Sequence, residues 1–509
     1  MTGAGTRSAR GDTVDGVLRR TAHRFPNRTA VVFAGRTYTY RELDDTVSRA
    51  SGWLRSSGLR PGDRVAAYGT NSDAYLVGYL AAARAGLVHV PVNYALRGDE
   101  LSYILADSGA RTVLVDPALA DNIADVRADI PAEEVHALRD TADALLTVAG
   151  GGPVPECTPE TGGGDLVQLL YTSGTTSRPK GAMMTHSALV HAYVSAVVDL
   201  DLAAEDAPLI CMPLYHSAAM HVFLLPYLTI GATVQLLASP DVPEILRMIE
   251  SARIGSLFLA PTVWGPLAHH PDLEQHDLSS LRKAQYGASV MPEAVLDRLR
   301  TRYPDIGFYN GFGQSEIGPL ACALGPEEHD HRPGSCGKPV LFVETRVVDV
   351  NGDDVADGEP GEICYRSPQL CIGYWNNDQA TAEAFRDGWF HSGDLVTVDS
   401  DGYITVVDRI KDVINTGGIL VASREVEDAL YRHEAVAEAA VIGTPDERWI
   451  EAITAFVVRK NGYQVVEADL IEHVKHILAP FKVPKVVRFI DELPRNQSGK
   501  VLKRTLRQR

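Results

Sequence analysis

The amino-acid sequence predicts an α/β protein with a large N-terminal domain of doubly wound sheets plus a β-subdomain, followed by a smaller, mobile α+β C-terminal domain. Three observations lead there. Short apolar runs alternate with amphipathic helical patterns from Val14 to Ala260, the signature of a parallel, doubly wound sheet. From Thr345 to Arg366 short strands with Asn-Gly and Asp-Gly turns replace that alternation, as in a small β-subdomain. The chain has 509 residues, more than one core holds, so two or three domains are expected.

The chain opens with an amphipathic helix around Val14, Val17, Leu18 and Ala22, then a strand pair at Ala30–Phe33 and Arg36–Tyr38. Thr39 and Glu42 have capping-box spacing ahead of a helix with Leu43, Val47, Ala50 and Leu54 on one face, stopped by Gly58. Asp63–Tyr68 is a strand, and a helix with Tyr75, Val77, Leu80 and Ala83 follows. Val88–Val92 and Thr112–Val115 are further strands, and the Gly-, Pro- and Glu-rich stretch from Ala149 to Gly164 is a surface connection. Strands resume at Leu209, Ala232–Leu237 and Ser256–Ala260. Asp401-Gly402 is a hairpin turn into Tyr403–Val407, and a smaller α+β unit begins after Arg409.

Hydrophobic content of 45% and charged content of 22% fit an ordinary globular protein. The net charge of -18 argues against nucleic acid or an anionic membrane as a constitutive partner. A polyanionic ligand must therefore be held by local donors. Cys157, Cys211, Cys322, Cys336, Cys364 and Cys371 lack CxxC or zinc-like spacing and read as reduced core thiols of a cytoplasmic protein. Met1–Asp12 has no apolar stretch, so no signal peptide is expected. Leu209–Leu237 is interrupted by Pro213, His216, His221 and Pro226, a core segment and not a transmembrane one.

The apolar strand Leu166–Leu170 leads into Tyr171-Thr172-Ser173-Gly174-Thr175-Thr176-Ser177-Arg178-Pro179-Lys180-Gly181, and Thr185 caps a helix with Leu189, Tyr193 and Val197 on one face. A strand, a loop of small hydroxyls and glycine, then a lysine is a phosphate cradle in outline. It is not a P-loop, since glycine follows the lysine. Tyr309-Asn310-Gly311-Phe312-Gly313-Gln314-Ser315-Glu316 nearly mimics a dinucleotide fingerprint, but Glu316 occupies its final glycine position. His269-His270 reads as surface, His329-Asp330-His331 as a solvated loop, and His221 as a core histidine.

Together with Trp389–Asp394, Asp408–Asp412 and Pro494–Lys500, these motifs resemble, in order, those of the adenylate-forming superfamily of acyl-CoA synthetases, adenylation domains and luciferases. The body between them looks most like bacterial fatty acyl-CoA synthetases, which implies fatty acid metabolism. The resemblance implies that Thr172, Ser173, Gly174, Thr175, Thr176 and Lys180 hold phosphate, and that Gly287, Ala288 and Ser289 turn beside the adenine. Asn310, Phe312, Gly313 and Ser315 would line the nucleotide, Glu316 would hold Mg2+, and His216 would lie by the acyl carboxylate. Asp394 would accept from the ribose, Arg409 would reach the nucleotide, Lys411 would be the hinge and Lys500 the adenylation lysine. Gly417, Gly418, Ile419 and Leu420 would line the acceptor channel.

Residues 1–408 are then the ATP- and acid-binding domain and 409–509 a mobile lid. Three departures mark the chain. Ser177 replaces a usual glycine, Phe312 and Ser315 replace a more usual tyrosine and threonine, and Ile419-Leu420 replace a polar pair, often Glu-Asn. The implied activity is an ATP-dependent acid–CoA ligase working through acyl-AMP, with ATP, Mg2+ and CoA. Its partners are small molecules, with a homodimer left open. The alternatives are the same activation with a carrier protein, an amine or nitrite chemistry, or an inactive nucleotide-binding protein.

Overall fold

A computed structural model describes residues 12–155, 161–172, 178–289, 291–417, 419–446, 448–460, 462–495 and 501–508. The chain forms two compact units, Met1–Glu344 with Arg366–Phe390, and Thr345–Tyr365 with His391–Arg509.

The first unit holds two sheets. One has six strands, in the order Glu134–Ala137, Thr112–Val115, Arg64–Tyr68, Val88–Val92, Leu166–Thr172 and Lys180–Thr185. All neighbours are parallel except the last pair. The other has nine strands, with Lys283–Gly287 between Ser256–Phe258 and Gly307–Phe312. The doubly wound α/β expectation therefore holds. Local chemistry sets the helix starts. Thr39 and Glu42 form the capping box of the Tyr40–Ser56 helix, and Ser72 and Thr185 each accept from the backbone N–H three residues on. The Asp73–Ala85 helix is buried at every position, as an all-round apolar helix must be.

Leu209–Leu237 is a core segment containing a π-helical turn, Ala219–Leu224. Leu225 N donates to Met220 O, five residues back. Pro226 has no N–H to continue an ordinary α-ladder, so the wider turn ends where the proline starts the next helix. Among the described residues no helix is long and apolar enough to cross a membrane.

The strands Glu344–Val348, Gly361–Arg366, Trp389–Val398 and Ile404–Arg409 lie mainly in the second unit. A further sheet orders Ile419–Val421, Ile414–Thr416, Ile450–Arg459 and Val436–Asp446, with Val486–Phe489 parallel to Ile450–Arg459. Helices Ser423–Tyr431 and Glu467–Ile477 close its core through Val426, Leu430, Leu470 and Val474.

One sequence expectation fails. His329 is buried, not solvated. Its Nε2 meets the Tyr286 hydroxyl at 2.9 Å and its Nδ1 meets Gly325 O at 2.7 Å, so both ring nitrogens exchange water for protein partners. Asp330 and His331 are exposed, as expected.

Candidate active site

The strands Leu166–Thr172 and Lys180–Thr185 pair antiparallel, with Thr172 opposite Lys180, so the two ends of the expected phosphate loop are neighbours. Ser173, Gly174, Thr175, Thr176 and Ser177 lie outside the described residues. A Cβ at Gly181 would stand 3.1 Å from the Tyr171 ring, so any larger residue here would press that ring aside by a few tenths of an ångström. The Lys180 amine lies 5.3 Å from the Tyr374 ring centroid, a cation–π contact.

A helix that the sequence reading did not assign, Gly98–Ser108, braces both arms. Tyr171 OH donates to Asp107 Oδ2 at 2.6 Å, and Tyr103 OH donates to Pro179 O at 3.1 Å. Trp375 Nε1 donates to Asp107 O at 3.1 Å. Burial, then the Asp107 carboxylate, push the Tyr171 phenol well up, so it stays a donor. The signal for this helix was present in Leu101, Ile104 and Leu105, whose spacing is helical. Arg97 in the cap position obscured it, since its side chain makes no cap bond.

Glu316 is the meeting point. It sits on the short turn Ser315–Ile317 and is 6% exposed. Its Oε1 accepts from Thr172 Oγ1 at 3.0 Å and from Tyr374 OH at 3.1 Å, which joins the end of the phosphate strand to the expected metal residue. Both donors are neutral, and no cationic side chain among the described residues pairs with this carboxylate. A buried carboxylate so placed suits a hard divalent cation such as Mg2+. Ser315 Oγ lies 2.9 Å from Ser217 Oγ, and Asn310 Nδ2 donates to Ser335 O at 3.0 Å. Gly313 passes so close that a Cβ would fall 2.1 Å from Pro319 O.

Gly287 packs equally tightly, since a Cβ would stand 2.2 Å from Gly311 O. The next residue, Ala288, has φ +63°, a left-handed conformation that an L-residue adopts at a cost of roughly 1–2 kcal/mol. Strain of this kind gathers at ligand-binding turns. Ala288 and Ser289 are exposed.

His216 is half-buried, and its Nδ1 accepts from Ala218 N at 3.4 Å. Tyr215 beside it meets Tyr94 edge-on at 5.5 Å. His221, on the π-helical turn, is fully buried. Tyr193 OH and His221 Nδ1 are 3.0 Å apart, and His221 Nε2 and Gln168 Oε1 are 2.7 Å apart. Gln168 Nε2 then reaches His89 Nδ1 at 3.0 Å, so a buried polar chain runs through the strand that carries the phosphate loop.

In the second unit, Asp394 and Arg409 are cross-strand partners. The Arg409 Nε donates to Asp394 Oδ1 at 2.6 Å, and its Nη1 donates to Ser392 O at 3.2 Å. The expected ribose carboxylate is thus held by the expected nucleotide arginine. Lys411 lies on the short turn Ile410–Asp412. Burial, with Arg409 and Arg507 nearby, pushes its amine down. Gly417 takes φ +66° and donates to Trp449 O at 2.5 Å. Ile419 and Leu420 are 47% and 68% exposed on the Ile419–Val421 strand. Gly418 and Lys500 lie outside the described residues, and Arg495 and Val501 on either side of 496–500 form a β-bridge.

Tyr374, Ser217, Tyr103 and Asp107 were not singled out from the sequence. No motif marks them, because each enters through a contact with a segment distant in the chain. The five described cysteines are buried and form no disulfide.

Comparison with known proteins adds the rest. The AMP-binding enzyme family model matches residues 18–375, and its C-terminal domain model matches 425–500. A feruloyl-CoA synthase of Amycolatopsis sp. is 41% identical over 494 residues, covering 96% of this chain and 97% of its own length. A fatty acid–[acyl-carrier-protein] ligase of Streptomyces coeruleorubidus is 36% identical, covering 95% and 94%. Among solved structures, an anthranilate CoA ligase in complex with anthranoyl-AMP superposes with a TM-score of 0.89 at 27% identity, covering 97% and 96%.

Proposed function

The chain belongs to the AMP-binding enzyme family, and from that premise we propose that it is an AMP-forming acid–CoA ligase that activates an aryl-substituted carboxylic acid in two steps. The acid carboxylate attacks the α-phosphorus of ATP in line. The new C(O)O–P bond forms as the P–O bond to pyrophosphate breaks. The CoA thiol then attacks the acyl carbonyl, and AMP leaves as the thioester forms. The observation that carries the reading is the convergence of Thr172, Tyr374 and Glu316 beside Lys180. The names of the 41%-identical relative and of the anthranoyl-AMP complex support an aryl acid.

In this reading Lys180 and Lys500 offset the charge that builds on the transferring group. Glu316 holds Mg2+, which when bound draws charge from the phosphate oxygens. Ser173, Gly174, Thr175 and Thr176 cradle the phosphates, and Gly287, Ala288 and Ser289 border the adenine with Asn310, Phe312, Gly313 and Ser315. His216 borders the acid, and Asp394 with Arg409 takes the ribose. Residues 409–509 act as a lid that pivots at Lys411 between the two steps. The protein is cytoplasmic in this proposal.

A pyrophosphate-release screen over hydroxycinnamic, aryl and fatty acids, with and without CoA, tests it. Release with an aryl acid, and thioester only with CoA, is expected. Preference for a long-chain fatty acid removes the aryl proposal, and silence with every acid removes the ligase.

Glu316→Gln keeps the side chain's shape and its hydrogen-bonding reach to Thr172 and Tyr374 but removes the charge. The magnesium concentration for half-maximal pyrophosphate release should rise about tenfold or more, as loss of a charged partner worth about 1.4 kcal/mol requires. Titration of magnesium against initial rate measures it. An unchanged half-point assigns the metal elsewhere.

A second reading keeps the activation step and changes the acceptor. It is favoured by the exposure of Ile419 and Leu420. Aliphatic side chains cannot bond the amide-rich pantetheine arm, and each unpartnered buried amide costs roughly 1–3 kcal/mol. With CoA as the true acceptor, backbone groups at Gly417 and Gly418 guide the thiol. Ile419→Glu with Leu420→Asn should then change CoA-dependent turnover of purified acyl-AMP by less than about tenfold. A large gain over a wild type that barely uses CoA gives the function to another nucleophile.

A further inference from the structure

The second unit carries a mixed sulfur, nitrogen and oxygen cluster, Glu362, Cys364 and His391, the last of them three residues before the expected ribose carboxylate Asp394 on the same strand. Glu362 and Cys364 are two residues apart on the Gly361–Arg366 strand, so both point to one face. His391 is on the neighbouring strand Trp389–Val398. Cys364 Sγ lies 3.4 Å from His391 Nδ1, which lies 2.7 Å from Glu362 Oε2. One ligand atom from each residue falls within 4.8 Å of the others. Glu362 and His391 side chains are 16% and 13% exposed, and Cys364 is 1% exposed.

We propose that Glu362, Cys364 and His391 form a binding site for a borderline divalent transition metal such as Zn2+, with a fourth position left for water. Three reasons carry this. Thiolate, imidazole and carboxylate are the three side-chain ligands zinc uses, at about 2.3, 2.0 and 2.1 Å. Tetrahedral angles put such ligand atoms roughly 3.4–3.6 Å apart, so the sulfur–nitrogen separation is already right and the carboxylate must retreat from the imidazole by roughly 0.7–0.9 Å. The cluster is anchored, because Gly393 N donates to Glu362 Oε1 at 2.9 Å, leaving Oε2 as the inward ligand. Metal entry releases the Cys364 thiol proton to solvent and leaves the imidazole proton on Nε2. The nearby Arg346, bonded to Asp354, lowers the cost of the thiolate. Mg2+, a hard cation, does not compete for a thiolate set.

Metal-free enzyme is dialysed against Co2+ and then Zn2+, with excess Mg2+ present. The expected result is one bound equivalent, a near-ultraviolet thiolate-to-cobalt charge-transfer band, and its loss when zinc displaces cobalt. Cys364→Ser is close to isosteric, and it should abolish the band and stoichiometric binding while circular dichroism is unchanged. Glu362→Gln should weaken binding by at least the ~10–100-fold that loss of an outer partner costs. If Cys364→Ser unfolds, His391→Asn provides the same test. Absence of binding at micromolar metal, or binding that survives both substitutions, overturns the proposal. The readout is metal binding, so it stands or falls apart from the ligase activity.

Discussion

Lys500→Ala should lower acyl-AMP formation by about 10²–10³-fold, since one preorganised donor at a developing charge is worth about 3–4 kcal/mol. Conversion of supplied acyl-AMP to thioester should survive if, as proposed, the lid turns between the two steps. Single-turnover assays of each half-reaction measure the split. Lys411→Pro should give the reverse pattern, adenylation retained and thioester formation blocked, because proline holds φ near roughly −65° and restricts the residue before it. Equal losses in both half-reactions for Lys500→Ala would remove its assignment, and wild-type rates for Lys411→Pro would move the pivot elsewhere.

The largest stability effect should come from Arg84. Its side chain is 2% exposed, and its Nε donates to Asp15 Oδ1 at 2.6 Å. It also donates to Asp44 O at 2.8 Å and Ser48 Oγ at 2.6 Å, so it ties three helices together. Burial raises the Asp15 carboxyl even with the guanidinium beside it. Arg84→Met leaves that carboxylate buried without its cation, a loss of about 3–5 kcal/mol. The thermal midpoint should fall by about 4–6 °C for a unit of this size. Adding Asp15→Asn should recover part of the loss, because the uncompensated charge goes with it. A double variant as unstable as the single one would show that packing, not charge, was removed.

Elements whose cause is local were legible in the sequence. Thr39 and Glu42 lie three residues apart and satisfy each other's backbone N–H groups, so the pattern alone announces the helix. The strand before the phosphate loop and the Thr185 cap after it were legible, but the Lys180–Thr185 strand that pairs back on Leu166–Thr172 was not. What motifs did not reveal is how the parts are held. Asp107 meets Tyr171 across 64 residues and Tyr374 meets Glu316 across 58, separations that no periodicity encodes. Arg84 ends a run of alanines and reads locally as a last-turn cation, while its actual partners lie on two other helices. His329 was misread for the same reason. Its charged neighbours suggest solvent, and its hydrogen-bond partner Tyr286 is 43 residues away.

The buried chain from Tyr193 through His221 and Gln168 to His89 has a consequence for acid tolerance. Burial pushes both imidazoles down to about 3, from an ordinary value of 6.5. The folded protein therefore refuses protons that the unfolded chain accepts. Their contribution to stability is complete above pH 6.5 and drains away as the solution is acidified from there toward pH 3. Each histidine removes about 1.4 kcal/mol per pH unit in that window, so the pair removes about 4 kcal/mol at pH 5, a sizeable part of a typical domain's stability. Because Gln168 sits between the two rings on the strand that leads into the phosphate loop, mild acid should disable nucleotide binding before it unfolds the second unit. Unfolding midpoints and ATP affinity followed from pH 7.5 to 5 should fall together, and a flat profile across that range would mean that both rings take up protons without leaving the fold.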